Sequence, residues 1–181
     1  MFFCFACATF WRNARLRLHK QNNLKKEQDM EDFRKKIQQM TGWSDALVNA
    51  IRTEEEARIY MKAGLKEMIV NGKPALIQPR IDPDYLMPEW WIREYGENWR
   101  GWSNSDLMGE GYPPHDENGD PYELHHIGQL TTSPLAELTW AQHHEDGNYA
   151  ILHTFDDYSD IDRSAFEDEK AAHWMARYKT L

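Results

Sequence analysis

The stretch Glu123-Leu124-His125-His126-Ile127-Gly128-Gln129 decides how the C-terminal half of this chain is read. It follows a turn signal, Asn118-Gly119, and residues 121–126 read as a strand ending in two adjacent histidines. Adjacent side chains on a strand point to opposite faces. His125 and His126 therefore share one pocket only if the strand ends or bulges there. Downstream, Ser133-Pro134-Leu135-Ala136-Glu137 has the form of a helix start, with Ser at the N-cap, Pro at the first helical position and an acid in the first turn. That helix is predicted to run to about His143. Asp146-Gly147-Asn148 makes a turn, and Asn148 to His153 reads as a second strand. Ser159-x-x-Asp162 opens a final helix to about Tyr178, with Ile161, Ala165, Phe166, Ala172, Trp174 and Met175 as apolar positions.

Upstream, Met30, Phe33, Ile37 and Met40 recur at spacings of three and four, which predicts an amphipathic helix from Gln28 to Thr41-Gly42. Ser44 caps a short helix carrying Leu47, Val48 and Ile51. Thr53-Glu54-Glu55-Glu56 reads as a capping box opening a third helix, which Gly64 closes. Leu65–Val70 and Lys73–Gln78 flank Asn71-Gly72, the favoured dipeptide of a tight hairpin turn. Residues 79–100, rich in Pro and Trp, read as an irregular or short-helical wrap. Residues 1–29 read as an apolar and basic leader outside the fold, and residues 30–181 as one domain. Cys4 and Cys7 have C-x-x-C spacing but lack the preceding strand of a redox motif.

Of the 181 residues, 41% are hydrophobic and 13% aromatic, enough for a packed core, so wholesale disorder is excluded. No apolar run approaches the ~20 residues of a spanning helix. Two cysteines make neither a disulfide scaffold nor a four-cysteine zinc site. The net charge of -9 is uneven: residues 1–80 carry 15 Lys+Arg against 9 Asp+Glu, and residues 81–181 carry 6 against 21. Seven of the 8 histidines lie between His115 and His173. A half rich in carboxylates and imidazoles is suited to a metal ion or to a protein partner. Its few cations are a poor match for a phosphate backbone unless a bound divalent ion or the basic residues of 1–80 supply the charge.

Taken together, Leu124-His125-His126-Ile127-Gly128-Gln129, Ser133-Pro134-Leu135-Ala136-Glu137-Leu138-Thr139, Gly147-Asn148, Leu152-His153 and the final segment with Phe166, Glu169 and Trp174 resemble the HNH and endonuclease-VII superfamily, the His-Me finger nucleases, and within it the LHH branch. The resemblance extends upstream through Gly101–Met108 to about Gly42. It implies an α+β fold in which N-terminal helices and a β-hairpin lead into a C-terminal ββα-metal core at about 119–181. It also implies a metal-dependent endonuclease that hydrolyses phosphodiester bonds, most of all in DNA, and leaves a 5′-phosphate.

Carried over residue by residue, His126 matches the general base and Asn148 the residue that orients the base or pins the loop. His125 and His153 match ligands of one divalent metal ion, with Mg, Mn, Ni and Zn all open. His143 or His144 falls where related sequences often carry a histidine, and the sequence does not choose between them. Glu123 is placed to orient a histidine, and Arg163, at the start of the last helix, to meet phosphate. Such a histidine, near its ordinary pKa of ~6.5, takes a proton from water at neutral pH.

Members of the resembling family are commonly bacterial toxin tips. The resemblance thus implies delivery or secretion from a producing bacterium, action in a target cytoplasm and a cognate immunity protein. Three rival readings stay open: a structural metal site with a protein-binding acidic face, an RNase using the same histidines, and an acidic immunity-like binder.

Overall fold

The computed structural model describes the backbone of residues 5–153 and 162–181, and the side chains of residues 19–153 and 162–181. Cys4, Ser159 and Ile161, and the side chain of Cys7, lie outside the described residues. The chain divides into two compact units, residues 1–42 and 43–181. The first is one helix, α1 (Phe5–Thr41). It begins more than twenty residues before the expected start at Gln28. The helix is continuous because residues 5–41 contain neither Pro nor Gly. Gly42, at φ +75°, stops it. Among the described residues no helix is long and apolar enough to cross a membrane.

The second unit is α+β. It opens with α2 (Asp45–Ala50) and α3 (Glu54–Lys62). Thr53 caps α3 by accepting from the Glu56 amide. Glu56 completes the box one residue early, accepting from the Arg52 amide at 2.8 Å. Ser44 occupies the N-cap of α2 but makes no capping bond. Instead its amide donates to Glu67. The strands β1 (Lys66–Val70) and β2 (Lys73–Ile77) form the expected hairpin. Asn71 and Gly72 both have the positive φ that this turn requires, 50° and 77°.

The wrap that follows holds α4 (Glu89–Tyr95) and α5 (Asn104–Gly109). A nest of Trp91, Trp99, Trp102 and Tyr112 packs edge to face beneath it. These tryptophans therefore serve as core.

Two expectations are corrected in the C-terminal part. Residues 135–138 are a strand, β4 (Leu135–Leu138), and not the first turn of a helix. The Ser133 hydroxyl donates to the Leu130 carbonyl and is spent on a turn. An N-cap contributes about 1 kcal/mol, whereas burying Leu135 and Leu138 contributes about 2 kcal/mol each. β4 also pairs with two neighbours, parallel to β2 and antiparallel to β3 (Glu123–His126). The real helix start lies further on: Thr139 and Gln142 form a reciprocal capping box that opens α6 (Trp140–His144).

The second correction concerns Asn148–His153, expected as a strand. Residues Asn148–Leu152 form a helical turn, α7, entered through Gly147 at φ +78°. Five residues give too little periodicity to separate a short helix from a strand.

The sheet order is β1-β2-β4-β3. Pairing His125 with Ala136 and His126 with Leu135 fixes the two faces of the β3–β4 pair. Leu124, His126, Leu135 and Glu137 face one way. Glu123, His125, Ala136 and Leu138 face the other. The first face is covered by α8 (Arg163–Tyr178), whose Trp174 packs with Leu124 and Leu135. Asp162 caps α8 through the amides of Ser164 and Ala165.

Glu137 is fully buried on that face and accepts from Gln78 N, His173 Nε2 and Arg177 Nε, at 2.9, 2.8 and 2.7 Å. This network ties α8 to β4 and β2. It replaces the exposed first-turn acid that the helix reading required.

Candidate metal and catalytic site

The second face of the β3–β4 pair carries the site. His125 projects from β3 against the rings of His143, on α6, and His153, just after α7, with centroids 5.3 and 5.1 Å away. One donor atom from each of His125, His143 and His153 lies within 4.8 Å of the others. The sequence left His143 and His144 undivided, and the fold separates them. His143 turns into the cluster and is buried, while His144 stacks between Trp140 and Tyr149 at the edge. The pair follows from the short helix that the Thr139 box starts, a start that the Ser133-Pro134 signal obscured.

Glu123 organises the two imidazoles. Its Oε2 pairs with His143 Nδ1 and accepts from His144 Nε2 at 2.9 Å. Burial raises the Glu123 carboxyl, but these hydrogen bonds outweigh it and hold the group below its ordinary range. The pairing leaves His143 Nε2 buried with no hydrogen-bond partner among the described residues, and His125 Nε2 is in the same state. His153 Nδ1 donates to the Tyr149 carbonyl at 3.0 Å, which leaves its Nε2 as the acceptor.

Burial, together with the neighbouring imidazoles, pushes His125 well below its ordinary pKa. Burial pushes His153 down as well, with smaller contributions from His143 and His144. Imidazoles with orphaned nitrogens and a carboxylate behind one of them are the kind of donor set that suits a divalent transition metal. These residues fit such an ion and would offer it three ligands, the number that leaves a coordination position open.

The remaining expected residues lie around this cluster. His126, on the opposite face, is buried against the Phe166 ring, and its Nε2 meets Glu169 of α8 at 2.9 Å. Its Nδ1 is buried with no partner among the described residues. Asn148 donates from Nδ2 to the Gln142 carbonyl at 2.9 Å and so fixes the corner between α6 and α7. Arg163 is exposed in the first turn of α8.

What sequence reasoning missed is the pairing of three acids, of which Glu56 and Glu137 are buried and Glu169 is partly buried. Locally, Glu56 reads as the third residue of a capping box and Glu137 as a first-turn acid, and neither reading, nor the place of Glu169 in the final helix, shows the distant groups they bind. Only long-range pairing reveals their partners.

Residues 103–180 match the model of the LHH family, described as a nuclease of the HNH/ENDO VII superfamily with conserved LHH. This segment, 78 of the 181 residues, is similar to that nuclease family. Leu124-His125-His126 is the LHH tripeptide of the matched segment. The LHH segment contains every histidine of the cluster and both faces of β3. Residues 42–102, which the resemblance also covered, lie outside the match. No curated protein and no solved structure matches the chain.

Proposed function

We propose that the protein is a metal-dependent endonuclease that cuts DNA, with one divalent ion held by His125, His143 and His153. The observation that carries this reading is the pair of orphaned Nε2 atoms on His125 and His143, converging with His153 in an LHH nuclease segment. A buried polar nitrogen without a partner costs about 1–3 kcal/mol, so its retention calls for a function. A bound divalent ion supplies positive charge at the scissile phosphate and the leaving oxygen. The protein residues divide the rest. Glu123 orients His143. Asn148 holds the α6–α7 corner and so places His153. The resemblance gives His126 the role of general base; here its Nδ1 is buried on the face of β3 turned away from the cluster. Arg163 meets a phosphate at the start of α8. The expected product carries a 5′-phosphate.

The acid-rich balance of residues 81–181 supports a second, proteinaceous partner, a cognate immunity protein. The reading then places the chain as a bacterial toxin nuclease, delivered or secreted by a producing cell and acting in a target cytoplasm. Incubation with supercoiled plasmid and, separately, total RNA tests the assignment, with Mg²⁺, Mn²⁺, Ni²⁺ or Zn²⁺ in turn. The expected result is plasmid nicking that EDTA stops. Cleavage of RNA alone reassigns the substrate. Tight zinc binding with neither nucleic acid cut reassigns the cluster to a structural role.

A further inference from the structure

Trp140 and His144 are four residues apart on α6, and Tyr149 of α7 is four residues before His153, which caps that helix. Each short helix thus presents two rings on one side. The two pairs meet. Trp140 stacks on His144 with centroids 5.0 Å apart and planes 17° apart. His144 stacks on Tyr149 at 5.3 Å and 17°, and Tyr149 on His153 at 4.2 Å and 27°. Four near-parallel rings therefore form a row, and its inner end, His153, is also part of the three-histidine cluster. Glu123 Oε2 accepts from His144 Nε2 and holds one ring of the row in place. The row lies open to solvent: Trp140 is 44% exposed and Tyr149 49%. By contrast, Trp91, Trp99 and Trp102 pack in the core nest. Flat rings held in order at a surface are a platform for another flat ring.

A nucleic-acid strand can be held by its phosphates or by its bases. The phosphates are poorly served here. Residues 81–181 carry 6 Lys+Arg. Of these, Arg177 is buried on Glu137, and Arg100 and Lys170 are paired with glutamates three positions away. An intact duplex is gripped chiefly through its phosphates, and its base faces are covered by their own stacking. An unpaired base has a free π-face for a ring to cover. We infer that the row seats an unpaired nucleobase of the substrate strand on Trp140, within a few nucleotides of the phosphate to be cut. This rests on the reading of the histidine cluster as the nuclease centre. The preferred substrate is then a single strand, or a strand with a base flipped out of the duplex.

Fluorescence anisotropy with labelled oligonucleotides, in EDTA so that nothing is cut, tests the seat without reference to activity. The probes are a short thymidine oligonucleotide, an abasic strand of the same length and charge, and the thymidine strand in a duplex. The wild-type protein should bind the thymidine strand about 10-fold more tightly than either of the others, within the range for one stacked base. Trp140→Ala should weaken binding of the thymidine strand about 10-fold and leave the abasic strand unaffected. Trp140→Phe, which keeps a ring, should restore most of the loss. Circular dichroism shows that each variant is folded.

Equal affinity of the wild-type protein for the thymidine and abasic strands overturns the inference, and this readout needs no variant to fold. So does binding of neither strand, tighter binding of the duplex, or a folded Trp140→Ala variant with unchanged affinity. In each case plasmid cleavage by the wild type leaves the nuclease reading intact. A wild-type protein that cuts no nucleic acid with any divalent ion instead overturns the nuclease reading, and with it the placing of a base beside a phosphate to be cut.

Discussion

The backbone amide of Gly128 donates to Glu56 Oε1 at 2.8 Å across 72 positions of sequence. Glu56 is buried and accepts two further hydrogen bonds, from the Arg52 amide and the Tyr60 hydroxyl. The residue that opens α3 therefore also anchors the turn directly after His125-His126. Tyr60, buried beside this carboxylate, has its hydroxyl pKa pushed well up by burial first and by Glu56 second.

Gly128 has no room to change. Its φ is +67°, and a Cβ there would lie 2.3 Å from the Ala50 carbonyl oxygen. Gly128→Ala should cost about 3 kcal/mol, from a strained left-handed residue and a backbone clash. Urea unfolding should show a lower midpoint with an unchanged slope. A midpoint equal to the wild type would mean that this turn does not pack on α2.

Glu137→Ala should be among the most damaging substitutions in the sheet. It would leave Arg177 buried without its carboxylate, at a cost of about 3–5 kcal/mol. The double variant Glu137→Leu, Arg177→Met should recover much of that loss, because an apolar replacement of both partners removes the unpaired charge. Chemical denaturation of the three variants measures this. A single-variant loss below about 1 kcal/mol would contradict the network, since removing one partner of a buried pair should cost several times that.

Much of this was readable from local signals. The turn at Asn71-Gly72, the stop at Gly64, the cap at Thr53 and the histidine-bearing strand are each decided by residues within a few positions of one another. What failed did so where distant contacts outweigh a local preference. Ser133-Pro134 is a good helix start in isolation, but Leu135 to Leu138 gain more by entering the sheet between β2 and β3. The short run after Gly147 carried no decisive period. The choice between His143 and His144 depended on a helix whose start was misplaced by six residues, from Ser133 to Thr139. The His125–His126 alternation was legible, and the opposed faces follow from it. Which face carries the cluster depended on where α6 and α8 pack.

Stability should fall in acid in a way that His115 accounts for in part. Burial lowers this imidazole from 6.5 to about 4, against a smaller opposing effect of Asp116. The unfolded chain therefore takes up a proton below about pH 6.5 that the folded chain refuses until about pH 4. The stability present above pH 6.5 is lost across that window, by about 3 kcal/mol at its lower end. His115→Phe, packed against Trp91, should flatten the slope. His125 and His153 are shifted in the same direction, so some slope should persist. A variant with the same pH profile as the wild type would place His115 in solvent.

Metal binding should separate the two histidines of the strand. A divalent ion at a hundredfold excess over Kd should stabilise the wild-type protein by about 2.7 kcal/mol, and EDTA should remove that gain. His125→Ala should lose the effect, and His126→Ala should keep it, since His126 faces α8. Thermal melts with and without Ni²⁺ read this directly. Equal loss in both variants would contradict the opposed faces of β3.

The most direct measurement is the cleavage rate of end-labelled duplex DNA as a function of divalent ion concentration, for the wild type, His143→Ala and His144→Ala. Circular dichroism confirms that each variant is folded. The account expects a rate that saturates with metal in the wild type, that is abolished in His143→Ala and that survives at a reduced level in His144→Ala. A folded His143→Ala variant that cuts as fast as the wild type would contradict the three-histidine centre.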